Sequence, residues 1–268
     1  MTCQLFAICF DARQPLGLAR FWAGLLGREV VEEAGGALLP GDDTQVGLRF
    51  VTSRAEKLRP EYLHLHLTST SLADQQHTVT KALELGASHL DVGQLPEEGH
   101  VVLADPEGYA FDVIEPDNNF LAGCGFLGEV ACDGTREVGH FWSEALGWPL
   151  VWDQDEETAI QSPHGGTKVA WGGPPLHPKE ARNRQRFDLA VPVHGDLQAE
   201  VDRLVALGAT RLEGGEGGAV ALADPDGNEF RVLPPRWHRV QIRRRRPVQW
   251  QDSRSYRGGR RLAVTPLA

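Results

Sequence analysis

The chain has 268 residues, 41% of them apolar and 24% charged, which fits a globular protein with room for two domains and excludes a disordered chain or a disulfide-stapled miniprotein. Its net charge of −10 is unevenly spread: residues 236–268 hold ten of the 27 basic side chains and only one acid, Asp252, so residues 1–235 carry −19. No run approaches the roughly 20 uncharged apolar residues that span a bilayer, and the opening segment lacks a basic start and meets Asp11 early, so the expectation is a cytoplasmic chain without a signal peptide. Cys3, Cys9, Cys124 and Cys132 lack the C-x-x-C spacing of zinc or redox sites and read as buried thiols.

In chain order, a short apolar or alternating run (Gln4 to Phe10) precedes a helix with the stripe Leu18, Phe21, Trp22, Leu25, closed by Gly27. The pattern returns with Tyr62 to Leu67 before a helix ending at Leu85-Gly86. It returns again with Leu127 to Cys132 before the stripe Val138, Phe141, Trp142, Ala145 and Gly147. A fourth copy has Phe187 to Val191 before Leu197, Val201, Leu204, Val205 and Gly208. The closing glycines are 59, 61 and 61 residues apart, and after each come two or three strand-like runs broken by Gly, Asp and Pro. The repeating unit is β-α-β-β-β.

A longer repeat overlies the short one. Leu103-Ala104-Asp105-Pro106-Glu107-Gly108 returns 119 residues later as Leu222-Ala223-Asp224-Pro225-Asp226-Gly227, and Phe21-Trp22 returns 120 later as Phe141-Trp142. The D-P-x-G sequence is a turn in which the Asp side chain caps, Pro presets φ and Gly takes positive φ. Units one and two thus form a half that is duplicated as units three and four.

Ala19-Arg20-Phe21-Trp22, Leu63-His64-Leu65-His66-Leu67 and Asp105-Pro106-Glu107-Gly108 together resemble the vicinal oxygen chelate superfamily, in its glyoxalase-like branch, over residues 3–116 and 126–235. The resemblance implies an α+β fold of two glyoxalase-like curved-sheet domains with helices outside, at 1–118 and 124–235, followed by the basic tail 236–268. With units one and two joined by the short linker Thr52 to Glu61, each half is expected to pair its own two units into one sheet. The family includes lyases, isomerases, dioxygenases and bleomycin-resistance-type binders, so it speaks weakly about reaction.

The resemblance also implies a cleft in which four side chains, from the first and last strands of each unit, often hold a metal. Strand alternation sends the leucines of Leu63 to Leu67 toward the helices and His64 and His66 to the opposite face. Asp112 and Arg49 follow by the same rule, and Gln4 takes the matching place in the first strand. The first half therefore offers Gln4, Arg49, His64 and Asp112, with His66 beside them. A guanidinium has no lone pair for a cation, so Arg49 argues for a metal-independent cleft in which it pairs with Asp112 when no ligand is bound. The alternative keeps a divalent ion weakly bound by Gln4, His64 and Asp112. The second half offers Phe126, Ala170, Asp188 and Arg231, of which Asp188 and Arg231 form an ion pair or an anion anchor.

The leading functional expectation is a small-molecule binding protein without a cofactor, its ligand touching Gln4, Arg49, His66, Asp188 and Arg231. A lyase or isomerase of the vicinal oxygen chelate type, using His64 and Asp112 as catalytic groups, is the second. An interaction protein acting through the basic tail is the third. The acidic body argues against nucleic acid as a partner, an oligomer is compatible with the sequence, and the tail is expected to lack a packed core.

Overall fold

The computed structural model describes residues 2–53, 62–95, 97–178 and 182–235; the expectations for the basic tail and most of the Thr52–Glu61 linker lie outside them. Unit one is β1 (Gln4–Ala12), α1 (Pro15–Leu26), β2 (Val31–Glu33), β3 (Gly36–Leu39) and β4 (Leu48–Thr52). Unit two is β5 (Leu63–Leu67), α2 (Leu72–Glu84), β6 (Ser88–His89), β7 (Val101–Ala104) and β8 (Ala110–Val113). Unit three is β9 (Leu127–Cys132), α3 (Arg136–Leu146), β10 (Leu150–Gln154), β11 (Glu157–Gln161) and β12 (Lys168–Trp171). Unit four is β13 (Gln185–Ala190), α4 (Leu197–Ala206), β14 (Thr210–Arg211), β15 (Val220–Ala223) and β16 (Glu229–Leu233).

The helices end as their glycines require: Gly27 and Gly147 both take φ 67 and close α1 and α3. Ser71, Thr135 and Asp196 cap α2, α3 and α4 by accepting hydrogen bonds from the first turn.

The strands form two eight-stranded mixed sheets. Sheet I has the order β14-β15-β16-β13-β1-β4-β3-β2, and sheet II the order β10-β11-β12-β9-β5-β8-β7-β6. Unit one therefore pairs with unit four, through antiparallel β1 and β13, and unit two with unit three, through antiparallel β5 and β9. This corrects the expectation that each half would close its own sheet. Ten extended residues reach roughly 33 Å, so a short linker leaves the next unit free to begin a second sheet.

The two units of each half meet instead through the core. Each sheet turns an apolar face, with its helices, into one shared core that includes Phe10, Phe50, Leu65, Phe111, Val130, Val169, Phe187 and Phe230. Trp22 of α1 packs on Phe111 of sheet II with ring centroids 5.0 Å apart, and Trp142 of α3 packs on Phe230 of sheet I at 4.9 Å. Each indole donates to a turn carboxylate, Trp22 Nε1 to Asp105 Oδ2 and Trp142 Nε1 to Asp224 Oδ2, both at 3.1 Å. The other oxygen of each Asp accepts from its own D-P-x-G turn, at Glu107 and Tyr109 in one half and Asp226 and Asn228 in the other. The two motifs that recur in register are thus the two ends of one hydrogen bond, made once in each half.

Candidate functional site

The faces turned away from the core carry the polar residues. In sheet II, β5 presents His64 and His66. Beside it, β8 places Asp112 in register with His66, and β9 places Glu129 opposite His66 and Ala131 opposite His64. Alternation explains the histidines, since Leu63, Leu65 and Leu67 are all buried on the core side.

His66 is the hub of this group. Its Nδ1 lies 2.6 Å from Glu129 Oε2 and its Nε2 3.2 Å from Asp112 Oδ2, while His64 Nε2 lies 3.6 Å from the same Asp112 oxygen. Burial disfavours a charged imidazole, but hydrogen bonding to Asp112 and Glu129 and their charges outweigh it and raise the His66 pKa to about 9. Burial also acts to raise the Asp112 pKa, yet the neighbouring histidines hold it below the ordinary carboxylate value.

The donor set suits a divalent cation. The ligand atoms of His64, His66 and Asp112 all lie within 4.8 Å of one another. Glu129 accepts at Nδ1, which in the neutral ring leaves the Nε2 lone pair facing the cluster, the carboxylate–histidine arrangement that orients metal ligands. His66 Nε2 is buried and faces Asp112 across 3.2 Å, while Glu129 engages Nδ1 on the far side of the ring.

Sheet I carries a different group. Asp188 of β13, 0% exposed, accepts from Arg231 through both of its oxygens at 2.9 and 3.0 Å and from Arg49 Nη1 at 2.9 Å. Arg49 Nε also meets Glu33 at 2.8 Å, and Arg186 Nη1 meets Asp11 at 2.7 Å. Burial opposes ionisation of Asp188, but Arg231, Arg186 and Arg49 keep its pKa below the usual value. Cys9 accepts from Arg186 and Arg231, and burial together with Asp188 pushes its thiol up to about 12. A cavity of about 750 Å³ opens over this cluster, with Arg49, Arg186 and Arg231 in its wall.

The expected site is therefore divided between two sheets. His64, His66 and Asp112 come together, as do Asp188, Arg231 and Arg49, but Arg49 pairs with Glu33 and Asp188 rather than with Asp112. Gln4 is exposed and lines a separate small cavity with Gln45 and Trp148, beyond a register shift between Leu5 and Ala7 that breaks strict alternation. Phe126 packs against the core, and Ala170 lies on the polar face of sheet II. Glu129, Asp11 and Arg186 were not anticipated from the sequence. For Glu129 a signal existed, a single acid in the otherwise uncharged run Leu127 to Cys132, but a register shift between His66 and Leu67 obscures which face it takes.

A model described as a glyoxalase-like domain matches residues 7–114 and again 129–233. The chain belongs to the glyoxalase-like domain family. Among solved structures, glyoxalase I from Zea mays is similar at 11% identity and a TM-score of 0.59, covering 91% of this chain and 98% of that one. A putative dioxygenase from Bacillus subtilis is similar at 12% identity and a TM-score of 0.56, covering 90% and 96%. At such identity these likenesses show a shared fold. A search of curated proteins finds no match. Among the described residues, no helix is long and apolar enough to cross a membrane.

Proposed function

We propose that this glyoxalase-like protein binds a small molecule on the polar face of sheet II, at a divalent cation held by His64, His66 and Asp112, with Glu129 fixing the His66 ring. The observation that carries the reading is the His66 geometry: one nitrogen engaged by Glu129, the other buried and facing Asp112, with the ligand atoms of His64, His66 and Asp112 within 4.8 Å of one another. Arg49, the guanidinium that would disfavour a cation beside the histidines, lies in the other sheet. When bound, the cation supplies Lewis acidity to an oxygen of the ligand, the chemistry that a lyase or isomerase of this kind would use. The chain's own residues set its environment. Glu129 holds the ring, Asp112 neutralises charge, and the more exposed His64 closes the donor set on the solvent side.

A second reading keeps the site metal-free, with a protonated His66 between two carboxylates as its own internal cation, and the raised His66 pKa favours it. Elemental analysis and cobalt(II) titration of the purified chain decide between the two. Near-stoichiometric zinc, nickel, manganese or iron, or a cobalt spectrum lost in His64→Ala and Asp112→Asn, supports the metal reading. Absence of stoichiometric metal together with cobalt binding weaker than about 1 mM overturns it in favour of the metal-free site.

A further inference from the structure

The face that bears His64 continues across sheet II as one register row. His64 is opposite Ala131, Ala131 is beside Ala170, Ala170 is opposite Ala159, and Ala159 is opposite Trp152 of the edge strand. Three consecutive strands thus present only a methyl group in the His64 row, while in the neighbouring His66 row they carry Glu129, Lys168 and Gln161. Ala131 and Ala170 are partly exposed, whereas Ala159 is 1% exposed at the foot of Trp152. The far end is an aromatic corner. Trp152, 37% exposed, meets the ring of Phe120 edge-on at 5.8 Å, and Lys168 sits over that ring at 4.2 Å and donates to the Phe120 carbonyl, holding the corner in place.

Sheet I shows that these alanines are not demanded by the fold. Matching Leu65–Phe111 to Phe187–Phe230 aligns the registers of the two sheets, and His64, Ala131, Ala170, Ala159 and Trp152 then correspond to Arg186, Cys9, Arg49, Leu38 and Val31. Where one sheet fills its middle positions with Cys9, Arg49 and Leu38, the other leaves a narrow apolar shelf beside His64, bordered by Glu129, Lys168 and Gln161.

We infer that the ligand of the His64–His66–Asp112 site is a planar, largely apolar molecule of two or three fused rings, its oxygen-bearing end at the histidines and its body on the Ala131–Ala170 shelf against Phe120 and Trp152. The inference rests on the proposed site and adds the class of ligand. Two strand spacings, about 10 Å, separate His64 from Ala170, and a third leads to Ala159, buried beside Trp152, so the floor between His64 and Trp152 takes two or three rings. Aromatic side chains at the end of an alanine floor favour a flat π-face over a branched or highly hydroxylated chain.

The test uses the full chain loaded with cobalt(II), with 1,2-dihydroxyanthraquinone and catechol as probes that share a chelating end and differ in ring count. Affinities come from visible absorbance and tryptophan fluorescence. The three-ring probe is expected to bind at least about tenfold tighter than catechol, with quenching that Trp152→Phe removes. Ala170→Leu should abolish that advantage while cobalt and catechol affinities stay within about twofold, which also reports that the variant is folded; Ala131→Val is the milder second variant. Equal affinities for the two probes, or a three-ring advantage untouched by both alanine variants, overturns the shelf while leaving the metal site standing. If the wild type fails to bind cobalt, the metal reading falls by itself. Trp152 quenching by the three-ring probe that Ala170→Leu abolishes would then still support the shelf, and its absence would overturn that as well.

Discussion

The two sheets are built on one plan and use opposite charge at their centres. In sheet II the middle strand carries a base, His66, and the neighbouring strands carry acids, Asp112 and Glu129. In sheet I the residue in the His66 position is an acid, Asp188, and the residue in the Asp112 position is a base, Arg231. Arginines keep their protons and occupy their carboxylates permanently, whereas an imidazole can exchange its proton for a metal. The same scaffold thus yields a locked cluster on one side and a group able to take a ligand on the other.

The difference also explains why the units pair as they do. Every cross-unit charge contact in sheet I joins units one and four, Arg49 with Asp188 and Arg186 with Asp11, and in sheet II Glu129 of unit three meets His66 of unit two. Pairing each half within itself would bring Glu129 opposite Asp188 and take Asp188 from Arg49 and Arg186 from Asp11. Like charges opposed in a buried ladder are costly, so the polar faces select the partner that the linkers leave open.

The comparison breaks most visibly at the centre of sheet I. Asp188→Ala leaves Arg49 and Arg231 without their shared counter-ion in a buried setting, with an expected loss of about 3–5 kcal/mol in urea unfolding. Asp112→Ala in sheet II takes away one of two carboxylates around His66, and about 1–2 kcal/mol is expected. Equal losses would show that sheet I is no more tightly locked than sheet II.

What the sequence made legible follows from period and from turn chemistry. The four closing glycines, the recurring Phe-Trp pair and the D-P-x-G turns revealed four units, because each reports local backbone geometry. Alternation in Leu63 to Leu67 revealed the histidines for the same reason. Sheet partnership was hidden, since it depends on charges more than a hundred residues apart, such as Arg49 and Asp188. Gln4 and Glu129 were misread or missed because register shifts near Leu5 and Leu67 break the alternation from which a face is inferred.

The next effect is confined to sheet II and depends on pH. His66 has a folded pKa of about 9 against an ordinary 6.5, so its proton stabilises the metal-free protein fully below pH 6.5 and that stabilisation is lost as pH rises through 9. The expected fall in unfolding free energy across this window is on the order of 3 kcal/mol, and His66→Asn should flatten it. Sheet I offers no comparable titration over this range, because its arginines stay charged. A wild-type profile as flat as that of the variant would remove the account of His66 as a charged hub.

A smaller pair of effects tests the duplicated core rather than the faces. Trp22→Phe and Trp142→Phe each leave a buried Asp oxygen, in Asp105 or Asp224, without its indole donor, and about 1–2 kcal/mol should be lost in each case. The two losses should agree within about 0.5 kcal/mol. A large inequality would mean that one half carries more of the fold than the other.

The smallest expected change in stability is the most informative about function. His64 is 41% exposed at its side chain and meets Asp112 only at 3.6 Å, a solvent-screened contact, so His64→Ala should alter unfolding free energy by no more than about 0.5 kcal/mol. If His64 is a metal ligand, however, the same substitution takes away one of three protein donors, and cobalt affinity should fall by at least about a hundredfold. Stability and metal affinity are measured on one preparation, so the two results separate a residue retained for binding from one retained for the fold. Unchanged cobalt affinity in a normally stable variant would exclude His64 from the donor set and confine any cation to His66 and Asp112.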